Sequence, residues 1–455
     1  MMNNAKYEER LGTDRILPLV FKMALPAVAA QLVNLLYNIV DRMYIGHIPN
    51  IGTDALAGIG VTSSVIILIS AFSQIVSGGG APLAAIALGR GERERAEKIL
   101  GNGFSMLIFF AVVTSVIAYV FMRPILMATG ASEVTVGYAV DYLSVYLIGT
   151  LCVQIATGLN TYISCQGRAA IAMLSVVIGA VLNIVLDPIF IFTFGMGVKG
   201  AAIATVISQI FSAAWVLIFL FSKKATLRIK PRFMLPDIKI IGSVAALGIA
   251  PFIMASTESL VGFVLNASLK AYGDIYVSTL TVMQSAMQFV SVPLAGFAQG
   301  FVPIVSYNYG HRNAERVKQC FKVTLAIMFT FNFIAILFLI AFPSLIARMF
   351  TDDLVLIGKV SEIMPIFLAG MTIFGLQREC QNMFVSLGQA KISLFIALLR
   401  KVILLIPLAI ILPNFFGVMG VYISEAIADA TAAIICTLIF AVRFPKILAG
   451  IKRDG

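Results

Sequence analysis

Four polar side chains lie at helical spacing inside the apolar stretch AQLVNLLYNIVDR, residues 30–42. They are Gln31, Asn34, Asn38 and Asp41, and the steps between them are three, four and three residues. Because an α-helix repeats about every 3.6 residues, this spacing places all four on one face. The carboxylate of Asp41 could bind a cation. The three amides either hydrogen-bond to other helices or line a polar cavity.

A second polar set occurs in the stretch GAVLNIVLDPIFIF, where Asn183 and Asp187 are four residues apart and therefore share a helix face. Pro188 removes a backbone donor, which predicts a kink next to the carboxylate. The following apolar run begins VKGAAIATVIS and carries Thr205 about two turns from its start. The two stretches together offer carboxylate, amide and hydroxyl oxygens.

The elements that carry these residues are membrane spans. The chain has 455 residues, of which 60% are hydrophobic and 12% charged, and the mean hydropathy is +0.98. Soluble proteins carry about twice that share of charge. Apolar runs of about 20 residues, enough to cross a bilayer, recur along the whole chain. We predict an all-α polytopic membrane protein with twelve helices, at 16–45, 56–88, 99–123, 136–160, 169–193, 198–221, 241–270, 276–308, 319–344, 357–386, 391–412 and 418–441.

The distribution of basic residues orients these helices. With the N-terminus inside, 22 lysines and arginines fall in inner segments and only six in outer ones. The positive-inside rule therefore places both termini in the cytoplasm of a multi-pass protein of the cell membrane. The net charge of +11 then belongs to the cytoplasmic face, where we expect contact with anionic lipids and none with nucleic acid.

In this orientation Asp41, Asn183, Asp187 and Thr205 all lie at a similar depth in the outer part of the membrane. A carboxylate within a membrane helix costs roughly 2.5–3.5 kcal/mol on insertion scales, so it needs a partner or a purpose. The four oxygen-bearing groups suit Na⁺. Two neighbouring carboxylates can instead hold a proton. We expect a cation in either case, and the sequence does not choose between the two ions. It predicts no cofactor.

The chain repeats itself at an offset of about 221 residues. APLAAIALGRGERERAEK (81–98) resembles VPIVSYNYGHRNAERVKQ (302–319), and FGMGVKGAAI (194–203) resembles FFGVMGVYIS (415–424). We therefore predict an N-terminal six-helix lobe (1–221), a basic cytoplasmic linker (222–239) and a C-terminal six-helix lobe (240–455). Six is an even number, so the two lobes enter the membrane in the same direction, as parallel repeats.

The second lobe does not repeat the first-lobe acids, since Asp187 aligns with Pro407. Its charged residues are instead Glu258, Arg378, Glu379, Arg400, Lys401, Glu425 and Asp429. One interpretation is a neutralising network of salt bridges, because unpaired charges are costly at mid-span. The other is a polar wall of the substrate cavity or an auxiliary proton site. We place Asn160, Glu258, Gln284, Gln288, Arg378 and Glu379 among the candidate cavity residues, with Gln31, Asn34 and Asn38.

These motifs resemble those of the multidrug and toxic compound extrusion (MATE) family, most closely its MepA/DinF-type branch. The resemblance covers nearly the whole chain and is carried by the Pro26-to-Asp41 helix, GGGAPLAAIALGRGERERAEKIL, LNIVLDPIFIF…GVKGAAIAT and QGFVPIVSYNYG. It implies a V-shaped pair of six-helix lobes and antiport of Na⁺ or H⁺ against organic compounds. In that branch the first-lobe cation site uses the residues that stand here as Asp41, Asn183, Asp187 and Thr205.

We therefore expect a monomeric antiporter that exports small amphipathic, often cationic organic compounds or drugs by alternating access. The alternative is a flippase of lipid-linked oligosaccharide or peptidoglycan precursors. An enzyme is not expected, because the sequence contains no HExxH, GxSxG or GxxxxGK[ST] motif and no intramembrane histidine.

Overall fold

The fold was analysed in a computed structural model that describes residues 5–49 and 51–453. The secondary structure of the described residues is helical throughout. Its α-helices up to residue 221 are α1 (Ala5–Thr13), α2 (Ile16–Gly46), α3 (Gly52–Gln74), α4 (Ala81–Gly89), α5 (Arg93–Val120), α6 (Met122–Ala128), α7 (Val136–Ser164), α8 (Ala169–Pro188) and α9 (Gly197–Phe221). We call residues 5–221 the N-terminal half.

Residues 238–453 form what we call the C-terminal half. Its helices are α10 (Ile238–Lys270), α11 (Asp274–Gly310), α12 (Ala314–Ala341), α13 (Pro343–Arg348), α14 (Leu354–Leu368), α15 (Phe374–Ser386), α16 (Ala390–Leu398), α17 (Ile406–Ile411), α18 (Pro413–Phe416) and α19 (Val418–Arg453). Short 3₁₀ helices cover Pro231–Phe233 and Gly370–Ile373. Single π-helical turns cover Ile75–Gly80, Ile189–Thr193 and Leu399–Leu405.

Among the described residues, eleven helices are long and apolar enough to cross a membrane, and a bent pair makes up to twelve spans. The predicted all-α polytopic fold is therefore confirmed, although several boundaries move. The third span begins at Arg93, and the last helix continues to Arg453. The tenth span was expected to be one helix over 357–386, but it bends by 44° between Leu368 and Gly370.

Two local features explain the bend. Pro365 lies inside α14 and cannot donate a backbone hydrogen bond. A Cβ on Gly370 would lie 2.0 Å from the carbonyl oxygen of Ala426, so α19 packs directly on the chain at this point. The expected distortion at Pro188 also occurs, because the α-helix ends there and a π-helical turn follows at once.

The connections around residues 90–92, 165–168, 222–237, 311–313 and 387–389 lie at one end of the helix bundle, which we call the basic end. The two halves approach most closely near this end. A Cβ on Gly79 would lie 2.2 Å from the Val244 carbonyl oxygen, and one on Gly300 would lie 2.3 Å from the Ala24 Cα. Helix backbones therefore touch across the halves with no side chain between them, and we call this contact the glycine seam. Described glycines near the opposite end make no such approach to the other half.

The segment that leads into each half packs against the other half. The residues before α2 are held by the C-terminal half, where Asn308 Nδ2 donates to the Leu11 carbonyl (2.8 Å) and Arg316 Nη2 to the Asp14 carbonyl (2.8 Å). The segment before α10 is held by Asn102 of α5, which donates to the Phe233 carbonyl (3.3 Å) and accepts from the Asp237 N–H (2.7 Å). Both sets of hydrogen bonds between the halves lie at the basic end, beside the glycine seam.

Candidate cation site and substrate cavity

Three helices of the N-terminal half bring the first set of predicted residues together. Asp41 lies on the last turns of α2, Asn183 and Asp187 lie on the last two turns of α8, and Thr205 lies on the third turn of α9. All four are buried, with exposed fractions of 9%, 2%, 0% and 8% in that order. We call them the acid cluster.

Asn183 is the centre of the acid cluster. Its Nδ2 donates to Asp187 Oδ1 (3.2 Å) and to Thr205 Oγ1 (3.3 Å), so one amide orients groups on two helices. The carboxyl groups of Asp41 and Asp187 are neighbours, and each acts on the other electrostatically. Neither acid forms a salt bridge with a basic side chain of the described chain.

Three oxygens of the acid cluster have no hydrogen-bond donor among the described residues: Asp41 Oδ1, Asn183 Oδ1 and Asp187 Oδ2. Buried polar atoms are nearly always satisfied in native proteins, so unsatisfied acceptors in one place indicate an absent ligand. Two facing carboxylates in an apolar environment also repel each other unless a positive charge lies between them. The donor set therefore fits a small cation bound through oxygen, or a shared proton.

Sequence reasoning missed two tyrosines beside the acid cluster. The Tyr142 hydroxyl of α7 lies next to the Thr205 hydroxyl, and Tyr37 of α2 lies close to both Asp41 and Asp187. Tyr37 precedes Asp41 by four residues and could have been found from helical spacing. Nothing in the sequence around Tyr142 indicates its position, because it depends on how α7 packs against α9.

The other polar residues of the N-terminal half lie outside the acid cluster. Gln31 and Asn34 are partly buried on α2, and Asn38 is exposed, with its Nδ2 donating to the Asn34 carbonyl of its own helix (2.7 Å). Asn160 lies one turn from the basic end of α7, so the structure does not bring it to the acid cluster. Its Oδ1 is buried without a donor among the described residues.

Four charged residues of the C-terminal half neutralise one another, as one of the two interpretations expected. Arg400 Nε binds Asp429 Oδ1 (2.5 Å), and Glu425 Oε1 lies 3.6 Å from Arg400 Nη2 and 3.4 Å from Lys401 Nζ. The guanidinium of Arg400 also stacks 4.3 Å from the Phe374 ring centroid. These four residues, which we call the paired tetrad, contain two positive and two negative charges.

The remaining candidates of the C-terminal half lie outside the paired tetrad, although Glu258 is close enough to Arg378 and Arg400 to act on both electrostatically. Glu258 and Gln288 are exposed, whereas Gln284 and Arg378 are partly buried. Glu379 differs from the expectation of a cavity wall, because it is fully buried between α15 and α12 and accepts a hydrogen bond from Thr324 Oγ1 (2.5 Å). Neither Arg378 nor Glu379 belongs to the paired tetrad.

Two six-helix halves, one of which buries acids without a basic partner among the described residues, are an architecture typical of membrane transporters. The MatE family model matches residues 26–189 and 251–411, one match in each half. The chain therefore belongs to the MatE family, as its motifs indicated.

Relatives and solved structures agree with this assignment. The multidrug export protein MepA of Staphylococcus haemolyticus is 23% identical over 416 residues, which is 91% of each chain. A crystal structure of MATE in the bent conformation matches with a TM-score of 0.91 at 24% identity, covering 98% of this chain and 99% of that one. A MOP superfamily transporter from Pyrococcus furiosus, for which a reverse polarity of the binding pocket suggests a different function, matches with a TM-score of 0.89 at 24% identity and covers 96% and 98%.

Proposed function

We propose that this MatE-family transporter exports amphipathic, often cationic organic compounds, including drugs, in exchange for Na⁺ or H⁺. The observation that carries the proposal is the acid cluster, with two facing carboxyls and three acceptor oxygens that lack a donor. Membership of the family and the likeness to a multidrug export protein support the class of substrate.

Binding of the cation would couple the helices of the N-terminal half. Asp41 belongs to α2, whereas its partners belong to α8 and α9, so a positive charge between the two carboxyls draws α2 towards the other helices. Pro26 within α2 and Pro188 at the end of α8 are the points where these helices can bend. Movement of α2 changes the surface that carries Gln31, Asn34 and Asn38, and substrate is thereby released.

We assign the basic end to the cytoplasm of the cell that carries the protein in its plasma or inner membrane, and we propose a monomer with both termini inside. This assignment follows from the excess of basic residues in the connections at that end. In this orientation the glycine seam would close the cytoplasmic side, and we propose that this conformation is an outward-facing state of an alternating-access cycle.

One observation favours a second candidate, a flippase of lipid-linked oligosaccharide or peptidoglycan precursors. No hydrogen bond or salt bridge joins Arg378 to another described group, although the Glu258 carboxylate acts on it electrostatically, and its guanidinium lies 6.0 Å from the Phe374 ring centroid. A partly buried guanidinium whose donors form no hydrogen bond with the described residues would suit the phosphates of a lipid-linked substrate.

The test is efflux of ethidium from cells that lack their own drug pumps, measured with and without Na⁺ at two pH values. Wild type is compared with Asp41→Asn, which keeps the shape of the side chain and removes its charge. Asp141→Asn is the matched control, since Asp141 forms only an exposed ion pair with Lys199 (3.2 Å).

Gradient-dependent efflux by wild type and the Asp141→Asn variant, but not by Asp41→Asn, would support the antiporter and identify the ion. Absence of efflux by well-expressed wild type under every gradient would favour the flippase. Gradient-dependent efflux by Asp41→Asn would rule out Asp41 as an essential cation ligand and leave Asp187 or Glu258 as the coupling acid.

A further inference from the structure

Three cations surround a single aromatic ring at the basic end. The Phe233 ring centroid lies 4.3 Å from Arg232 Cζ, 5.7 Å from Lys98 Nζ and 5.7 Å from Lys230 Nζ. Each cation gains from the face of the ring, but the three like charges repel one another at this separation. An arrangement of this kind is stable only if negative charge lies close by.

The carboxylates of the described chain supply only part of that negative charge. Glu97 binds Lys230 (2.5 Å), and Glu94 binds Lys98 (3.2 Å). Arg232 and Lys239 form no salt bridge with a described carboxylate. Arg232 lies in the segment that leads into α10, and Lys239 lies in the first turn of α10. The segment 222–239 as a whole carries six basic residues and one acidic residue.

Two neighbouring clefts expose these charges. A cleft of about 300 Å³ is lined by Arg93, Glu94, Glu97, Arg228, Lys230 and Arg232. A second cleft, of about 620 Å³, is lined among others by Lys98, Arg232, Phe233, Asp237 and Lys239. The Asp237 carboxylate accepts hydrogen bonds from the backbone N–H groups of Lys239 and Ile240. Arg232 contributes to both clefts. We call the two clefts together the linker groove.

Apolar side chains stand beside the charges of the linker groove. Leu235 is 75% exposed and Ile238 is 86% exposed. Both side chains line the same cleft as Lys98 and Lys239. This groove lies where the spans α5 and α10 begin, at the level where a membrane presents its headgroups. Basic residues next to exposed apolar ones at that level suit a phospholipid, whose phosphate is anionic and whose chains are apolar.

The segment that leads into the N-terminal half does not carry an excess of basic residues. The sequence of α1, AKYEERLGT, contains two acidic and two basic residues, although α1 occupies the equivalent place before α2. Its contact partner Arg316 is already engaged with the backbone carbonyls of Leu11 and Asp14. The excess positive charge is therefore a property of the linker groove and not of both leading segments.

We propose that the linker groove binds an anionic phospholipid of the leaflet that meets the basic end, with its phosphate between Lys98, Arg232 and Lys239 and its chains beside Leu235 and Ile238. The lipid would fix the leading segment of α10 on α5, next to the Asn102 hydrogen bonds. Val244, which Gly79 approaches in the glycine seam, lies five residues after Lys239 on α10. Bound lipid therefore favours the state in which the seam is closed.

The experiment titrates purified full-length protein in detergent with phosphatidylglycerol or phosphatidylcholine and counts bound lipid by native mass spectrometry. The test variant is Arg232→Gln with Lys239→Gln. The matched control is Lys224→Gln with Lys318→Gln, which removes two exposed charges at the same end but outside the groove. Arg232→Lys with wild-type Lys239 retains the charge and is used if the test variant does not fold.

We expect wild type, the control and Arg232→Lys to bind phosphatidylglycerol in preference to phosphatidylcholine. The test variant should bind phosphatidylglycerol about 30-fold more weakly, since each basic residue near an anionic surface contributes about fivefold. Leu235→Ser with Ile238→Ser should also weaken binding. Equal binding by test and control variants, or equal binding of the two lipids by wild type, would overturn the proposal. Displacement of the lipid by inorganic phosphate, with no effect of the serine variant, would show a site for a free anion instead.

Discussion

The two halves share a backbone plan but differ in how their pairs of neighbouring buried carboxylates are neutralised. In the N-terminal half, Asp41 and Asp187 face each other without a basic partner among the described residues. In the C-terminal half, Glu425 and Asp429 are matched by Arg400 and Lys401. When a carboxylate is paired with a basic side chain, the charges of the two groups already balance. Two facing carboxylates without a basic partner must take a positive charge from solution, and this difference supports the cation site proposed for the N-terminal half.

The strongest test of this difference between the halves is to remove one acid from each half in turn. We expect Asp187→Asn to abolish gradient-driven transport, with a loss of at least about 100-fold, because the cation loses one of its two charged ligands. Glu425→Gln should retain dependence on the gradient in the fraction that folds. Transport by reconstituted vesicles under an imposed Na⁺ or pH gradient measures both. Loss of gradient dependence in Glu425→Gln alone would reverse the assignment of the halves.

Thermal stability should show the opposite pattern to transport, with the larger loss in the C-terminal half. Asp429→Asn leaves Arg400 without its closest partner and is expected to destabilise the protein by about 3–5 kcal/mol. Asp187→Asn removes a buried charge that lacks a partner, so its stability should equal or exceed that of wild type. Thermal unfolding of both variants in detergent, without Na⁺, gives the order of melting temperatures. A lower melting temperature for Asp187→Asn than for Asp429→Asn would contradict the distinction between the acid cluster without basic partners and the paired tetrad.

A third prediction concerns the contact between the halves. Gly300→Ala places a methyl group against the Ala24 backbone and should disfavour the closed seam by about 1–3 kcal/mol, the usual cost of overpacking. Gly242→Ala is the control, because nothing lies within 4 Å of the added methyl group. Distances between spin labels on the two halves at the basic end report the shift. Identical distance distributions for the two variants would exclude a role of the seam in the conformational equilibrium.

The smallest expected effect belongs to the tyrosine next to Thr205. Tyr142→Phe removes one hydroxyl and should weaken cation binding by about fivefold, the usual contribution of one hydrogen bond of about 1 kcal/mol. Tyr146→Phe keeps the neighbouring ring, which is stacked on that of Tyr142 with centroids 6.3 Å apart, and serves as control. Isothermal titration with Na⁺, or proton release on binding, measures the affinity. Equal affinities would place Tyr142 outside the cation site.

The sequence predicted the spans, their number and the repeat, because each depends on apolar length or on local similarity. It also placed Asn183 and Asp187 on one face of a helix, since four residues make about one turn. It could not determine that α2 brings Asp41 opposite Asp187, which depends on the rotation of one helix against another. The same limit applies to Tyr142 and to Glu379, whose neighbour Thr324 is 55 residues away in the chain. Pro365 is visible in the sequence, but the 44° bend in the tenth span also depends on the contact between Gly370 and Ala426, which the sequence does not show.

The glycine seam has a consequence for leakage of ions. A closure made of side chains can open for an instant when a rotamer changes, on a scale of picoseconds to nanoseconds. Here helix backbones touch directly at Gly79 and Gly300, so no single side chain can swing aside to admit water. An opening requires the movement of whole helices, which takes microseconds to milliseconds. In the proposed antiport, this direct contact between backbones would prevent protons and Na⁺ from leaking through the closed end between transport cycles.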